Sequence, residues 1–129
     1  MIYTFGREQL DKIEDVLHGD LIANGVTCVL LINMAGNIIA KSDNGKSKHD
    51  EYSLAALAAG NFGAVDAMAK IVGENEFSLL FHKGKKESLH FSKVSDDFLL
   101  ITIFGQEISL GFLRLQVAQA IGKIETICK

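Results

Sequence analysis

The stretch 53–72 constrains the fold more than any other, because it has helical periodicity but no polar face. At about 100° per residue, its large apolar side chains gather on one side and predict a surface that packs against a core. The opposite side carries alanine and glycine where a solvent-facing helix would carry Lys, Glu and Gln. The large set is Leu54, Leu57, Val65, Met68 and Val72, and the small set is Ala56, Gly60, Gly63, Ala64 and Ala67, with Ala59 at its rim.

Two glycines inside this predicted helix indicate a close contact. Gly60 and Gly63 each destabilise a helix interior by roughly 1 kcal/mol relative to alanine. Small residues let a second backbone approach at short distance, and such a contact would offset that cost. Two interpretations remain open. The small face meets another protein molecule, or the helix is buried on both sides within its own fold.

Length, charge and cysteine content restrict the class of protein. A chain of 129 residues predicts one domain over 1–129. The net charge of −3 gives no electrostatic footprint for nucleic acid. The longest apolar run, 28–32, is far below the roughly 20 residues of a membrane helix, and the first residues lack the features of a signal peptide. Two distant cysteines, Cys28 and Cys128, indicate free thiols in a reducing compartment, so we expect a cytoplasmic protein.

The remaining periodicities predict an α+β fold in the order α-β-β-α-β-β-β-α. Hairpin links between the strands favour one five-stranded antiparallel sheet, with the central helix on one face and two helices on the other, a profilin- or longin-like outline. Coverage of both faces explains why the strands around 26–34 and 98–104 are apolar without alternation. We expect Asp50 or Ser53 to cap the central helix. The other elements are expected at 4–23, 38–42, 76–82, 87–93 and 109–128.

The sequence carries no recognisable catalytic or cofactor-binding motif. Neither a phosphate-binding glycine loop nor a dinucleotide fingerprint occurs. His82 and His90 flank a predicted hairpin and could lie near each other, but no cysteine or carboxylate in the pattern supplies a third metal ligand. Burial in an apolar strand should raise the pKa of Cys28 and make it a poor nucleophile. We therefore expect no enzyme activity, no cofactor and no metal.

Three segments carry a resemblance to a known family. They are the hairpin 29–40, the alanine-rich run 54–64, and the strand 99–104 followed by an amphipathic helix. With these segments the chain resembles the Roadblock/dynein light chain family, and within it the bacterial MglB-like subgroup. The resemblance implies a homodimer in which the middle strand and the alanine-rich helix of each copy meet at a two-fold axis. It also implies a regulator or scaffold for a small Ras-like GTPase, acting on the switch loops of the GTPase rather than by its own catalysis.

The expected interface combines the helix with the strand that follows it. An apolar edge strand at 76–82 would be an aggregation hazard if it were left exposed, which also favours a homodimer. The alternative function is a small-ligand-sensing or structural scaffold module of a bacterial signalling complex. A sensor needs a pocket with convergent polar groups, whereas the apolar inner strands predict a filled core. The predicted interface residues are Ala56, Ala59, Gly60, Gly63, Ala64, Ala67, Phe77, Leu79 and Phe81.

Overall fold

The computed structural model describes residues 5–76 and 80–128. Its elements follow the predicted order, and the first helix continues past Val16 as a π-helical turn (Leu17–Leu21) and a 3₁₀ turn (Ile22–Asn24). Gly25 ends this segment with φ +103°, a left-handed conformation that glycine adopts without strain. The elements are α1 (Arg7–Val16), β1 (Cys28–Asn33), β2 (Ile38–Asp43), α2 (Glu51–Ile71), β3 (Leu80–Lys83), β4 (Glu87–Val94), β5 (Phe98–Gly105) and α3 (Leu110–Cys128).

The five strands form one antiparallel sheet in the order β2-β1-β5-β4-β3. β1 and β5 lie in its interior and pair directly, with Leu30 opposite Ile101. Every residue from Cys28 to Ile32 is buried, as the unbroken apolar pattern predicts for a strand covered on both faces. β2 and β3 are the two edge strands.

The layer of α1 and α3 packs on one face of the sheet through large side chains. Leu17 from the first helical segment and Ile124 from α3 are fully buried against Leu100 of β5 and its neighbours. Branched side chains of this size interdigitate and bury much apolar surface. The main members of this core are Ile13, Leu17, Leu31, Leu100, Phe104, Leu113, Val117 and Ile124.

The opposite face is covered by α2 alone, and α2 meets the sheet mainly through alanine. Ala55, Ala58 and Ala69 are its buried residues. Leu54, Ala59 and Phe62 pack beside them, partly buried. Across from them the sheet supplies the large side chains of this core: Cys28, Leu30, Ile32, Phe91, Leu99, Ile101 and Ile103.

The expected core-facing set of α2 is therefore wrong for three of its five residues. Leu57, Met68 and Val72 are 72%, 52% and 68% exposed. The helix is apolar around most of its circumference, so periodicity alone could not identify the side that faces the sheet. Alanines let the helix axis lie close to a sheet surface already filled by isoleucine and leucine.

Local contacts define where α2 begins and where it passes the β1–β2 turn. Asp50 is the N-cap, and its carboxylate accepts hydrogen bonds from the backbone N–H of Ser53 at 3.1 Å and from the Ser53 hydroxyl at 2.7 Å. Gly36 in the turn has φ +89°, and a Cβ placed there would lie 3.0 Å from Cα of Ala56. Glycine is thus required both by the turn and by the proximity of the helix.

Candidate functional site

The most unusual surface of the molecule is the side of α2 that faces away from the sheet. Tyr52, Leu57 and Ile71 are 75%, 72% and 84% exposed, which is rare for large apolar residues on one helix of a soluble domain. Small residues fill the space between them. We call this surface the outer face of α2, and it consists of Tyr52, Ala56, Leu57, Gly60, Gly63, Ala64, Ala67, Met68 and Ile71.

Five of the six predicted helix residues lie on this outer face. Ala56, Ala64 and Ala67 are exposed, and so are the two glycines. A Cβ added to Gly60 or Gly63 would meet no heavy atom within 4 Å. The interpretation that the helix is buried on both sides within its own fold is thus wrong, since the glycines face open space.

The other predicted interface residues have different surroundings. Ala59 is half-buried and packs toward the sheet, so it belongs to the edge of the core. Phe77 and Leu79 lie outside the described residues. Phe81 is half-buried on the side of the sheet that α1 and α3 cover, and its ring stacks on Phe104 with 5.9 Å between centroids. It lies on the edge strand β3 but does not face the same side as α2.

Sequence reasoning missed the large members of the outer face. Tyr52 and Ile71 were not singled out, and Leu57 and Met68 were placed in the core. The available signal was the lack of any polar face over the whole length of the helix. In the described part of the chain, α2 alone is long and apolar enough to match a membrane span by composition, with mean hydropathy 1.2 over 18 residues, of which 17% are buried.

Charged pairs and two hollows border the outer face. A hollow of about 340 Å³ lies between the start of α2 and the sheet, with His49 and Glu87 (Nε2 to Oε1, 3.2 Å) among its lining residues. A second hollow of about 240 Å³ lies beside Gly63. There Lys93 bridges Glu76 at 3.2 Å and Asp96 at 3.4 Å. The apolar surface thus has a rim of both charge signs, which resembles the composition of protein–protein interfaces.

The ionisable groups in the interior are poorly suited to catalysis. Burial, with a further contribution from Glu51, raises the pKa of Cys28 from 9.0 to about 12, so its thiol is almost wholly protonated at neutral pH. Burial, followed by the charge of Arg114, lowers the pKa of His90. His82 and His90 are on opposite faces of the sheet, because His82 pairs with Leu89 and His90 with Phe81. Within residues 5–76 and 80–128, no cluster of three or more metal-ligating side chains occurs.

The architecture and sequence together match one family. A model of the Roadblock/LC7 domain matches residues 12–104, which is most of the chain. The chain belongs to the Roadblock/LC7 domain family. The matched range begins within α1, includes the whole of α2 and ends one residue before the end of β5. The predicted family is thereby confirmed.

Solved structures with bacterial Roadblock domains superpose on nearly the whole chain. MglB of Myxococcus xanthus is 35% identical and has a TM-score of 0.83, with 98% of this chain and 93% of that chain covered. A structure described as MglB with tetrameric arrangement is 26% identical, with a TM-score of 0.88 and coverage of 98% and 94%. This Roadblock chain is therefore similar to the MglB proteins, as predicted.

More distant similarity concerns the fold alone. Profilin II of Acanthamoeba castellanii is 17% identical, with a TM-score of 0.61 and coverage of 88% of this chain and 96% of that chain. The profilin-like outline predicted for this Roadblock domain is confirmed. A comparison with curated protein sequences found no significant match.

Proposed function

We propose that this chain is a homodimeric, cytoplasmic regulator or scaffold of a small Ras-like GTPase. The observation that carries the proposal is the outer face of α2, whose large apolar residues are up to 84% exposed. Monomeric soluble proteins rarely expose a continuous apolar patch of this kind unless another molecule covers it. Membership of the Roadblock/LC7 family and similarity to the MglB proteins support a regulatory role.

A second copy of the chain is the proposed first occupant of the outer face. α2 spans 21 residues, about 32 Å at 1.5 Å per residue. Two such helices related by a two-fold axis would bring Gly60 and Gly63 of each copy against the other, and small residues permit that close approach. Pairing of the edge strand β3 across the same axis would cover its free hydrogen-bonding groups. The tetrameric arrangement of one MglB structure is consistent with self-association.

The proposed GTPase would bind on the surface that the two α2 helices form together. The charged rim around Lys93 and the hollow beside Gly63 would supply polar contacts at the edge of an apolar centre. The only arginines, Arg7 and Arg114, are in α1 and α3 on the far side of the sheet. We therefore propose no arginine finger from this face. The regulator would reposition the switch loops of the GTPase, and the catalytic groups would belong to the GTPase.

Substitution of one exposed glycine by arginine tests self-association. Gly60→Arg places a long charged side chain on the outer face, where an added Cβ would meet no atom within 4 Å beyond the neighbouring turns of its own helix. Arginine favours helix more than glycine does, so the monomer should remain folded. Gly122→Arg is the matched control, because Gly122 is also an exposed helical glycine but lies on α3. In sedimentation at micromolar concentration, we expect Gly60→Arg to be monomeric and both the wild type and Gly122→Arg to be dimeric.

Partner binding is tested with the same variants. Purified small Ras-like GTPases from the source organism, loaded with a non-hydrolysable GTP analogue, serve as probes in a pull-down. We expect one of them to bind the wild type and Gly122→Arg but not Gly60→Arg. Binding of none of the GTPases, together with thermal stabilisation by a metabolite, would favour the ligand-sensing alternative. A dimer that persists in Gly60→Arg would show that the outer face is not the self-association surface.

A further inference from the structure

The alanine contacts under α2 specify its rotation only weakly. Ala55 and Ala58 present the same small side chain to the sheet, so they lack the shape differences that make one rotation of a helix fit better than its neighbours. The outer face is also apolar, so the hydrophobic effect does not strongly favour either side. A separate interaction is needed to hold α2 in one orientation.

A competing orientation can be named from the residues themselves. With 100° of turn per residue, the stripe of Leu54, Leu57 and Met68 lies about 100° around the helix from the alanine stripe. Rotation by that angle would bury Leu57 and Met68, which are now largely exposed, and would remove Ala55 from the sheet. The hydrophobic gain from such side chains is large enough to compete.

Glu51, in the first turn of α2, makes contacts that only the observed orientation allows. Its Oε1 accepts a hydrogen bond from Nζ of Lys41 at 2.8 Å, and its Oε2 accepts one from Sγ of Cys28 at 3.5 Å. Lys41 is on β2 and Cys28 is on β1, so this carboxylate ties the helix to two strands. The Glu51 side chain is only 14% exposed. A carboxylate in the first turn is also favoured by the helix dipole.

The energetic consequence is a penalty for rotation. Turning α2 by about 100° would separate the Glu51 carboxylate from Lys41 and Cys28 and leave polar groups without their partners. Paired charges that are partly buried can select one packing arrangement over another even when they add little net stability. Ala56 lies five residues after Glu51, and the close approach of its backbone to Gly36 is a second contact that the observed orientation allows.

We infer that Glu51 is a positioning residue: through Lys41 and Cys28 it sets the rotation of α2, and so decides which side chains form the outer face. This inference deepens the proposed function and rests on it for its biological meaning. The rotation itself is measurable without any partner. Loss of the carboxylate should shift the population of α2 toward the orientation that buries Leu57 and exposes Ala55.

Thiol labelling at chosen positions reports the rotation. In a Cys128→Ser background, Ala55→Cys places a thiol at a site that is now 0% exposed, and Ala120→Cys places one at an equally buried site in α3. Cys28 is not substituted in these variants, since its side chain is fully buried. We expect Glu51→Ala and Lys41→Met to accelerate labelling at position 55 at least tenfold without a comparable change at position 120. Lys41→Arg keeps the ion pair, so labelling at position 55 should remain slow in that variant.

The controls separate a local rotation from general loosening. Glu8→Gln breaks an exposed ion pair with Lys12 in the other layer, and it should change neither labelling rate. Equal acceleration at positions 55 and 120 in Glu51→Ala would mean simple destabilisation and would overturn the inference, as would unchanged labelling at position 55. We also expect Glu51→Ala to weaken the homodimer about tenfold. If Gly60→Arg disrupts the dimer and Glu51→Ala changes neither labelling nor dimerisation, the inference fails while the proposed function stands.

Discussion

The two faces of the sheet are covered in opposite ways. On one face, α1 and α3 bury large branched side chains such as Leu17, Leu113 and Ile124. On the other, α2 buries alanines and exposes Leu57 and Ile71 to solvent. Both layers are helical and both contact the same apolar strands, so the difference lies in which side chains each helix directs outward.

This difference separates the part of the molecule that stabilises the fold from the part that is available to a partner. The layer of α1 and α3 presents charged pairs to solvent, for example Lys123 with Asp20 at 2.9 Å and Arg7 with Asp11 at 3.6 Å. A groove of about 690 Å³ runs between these helices, with lysines at its edges and Val16 among its lining residues. The ion pairs of α2 are Glu51–Lys41 at its first residue and Asp66–Lys70 near its end, and its outer face is apolar. We expect substitutions in the two layers to act on different measurable properties.

The largest contrast should appear when one large side chain is shortened in each layer. Ile124→Ala removes a fully buried side chain and should lower the free energy of unfolding by about 2–5 kcal/mol. Leu57→Ala removes a side chain that is 72% exposed and should change the free energy of unfolding of the monomer by no more than about 0.5 kcal/mol. Urea unfolding at low protein concentration measures both. A similar loss in the two variants would show that Leu57 is part of the core.

A smaller contrast is expected when alanine is enlarged on the two sides of α2. Ala58 is only 3% exposed, so Ala58→Leu forces three extra carbon atoms into a closely packed contact. This overpacking should lower the free energy of unfolding by about 1–3 kcal/mol. Ala64→Leu, on the outer face, should leave monomer stability within about 0.5 kcal/mol. If the proposed dimer forms there, the same change should weaken self-association in sedimentation. Equal stability of the two variants would contradict the close packing of the alanine side.

Among substitutions of buried residues, the smallest effect on stability is expected at Cys28, under α2. Valine is of similar size, so Cys28→Val should cost less than about 1.5 kcal/mol at pH 7. The folded state keeps the thiol proton up to a pKa of about 12, whereas the unfolded chain releases it near 9.0. The protonated Cys28 thiol therefore contributes its full stabilisation of the folded state below pH 9, and this contribution is lost as the pH rises from 9 toward 12. Unfolding free energies measured between pH 7 and 11 should decline more steeply in wild type than in Cys28→Val.

Thiol labelling tests independently whether Cys28 is buried under α2. In native protein at pH 8, an aromatic disulfide reagent should modify Cys128, which is partly exposed, much faster than Cys28. Rapid modification of both thiols would show that the α2 layer opens frequently.

Several features followed from the sequence by itself. The apolar runs of β1 and β5 predicted strands covered on both faces, because no solvated strand avoids polar residues over that length. The hairpin 29–40, the cap of α2 at Asp50, which was one of two candidates, and the amphipathic pattern of α3 are local, so short-range chemistry determined them. The order of elements and the family resemblance followed from these local signals. Five of the six small residues singled out on α2 are exposed in the structure, and the absence of polar residues around them is visible in the sequence.

Only the tertiary structure decided which side of α2 faces the sheet. Periodicity identifies a buried side by contrast with a polar side, and α2 has almost no such contrast. Its orientation depends on long-range contacts: the close fit of Ala55 and Ala58 to the sheet, and the bonds from Glu51 to Lys41 and Cys28. Since those strand residues lie 10 and 23 positions before Glu51 in the chain, no local pattern could indicate that they meet.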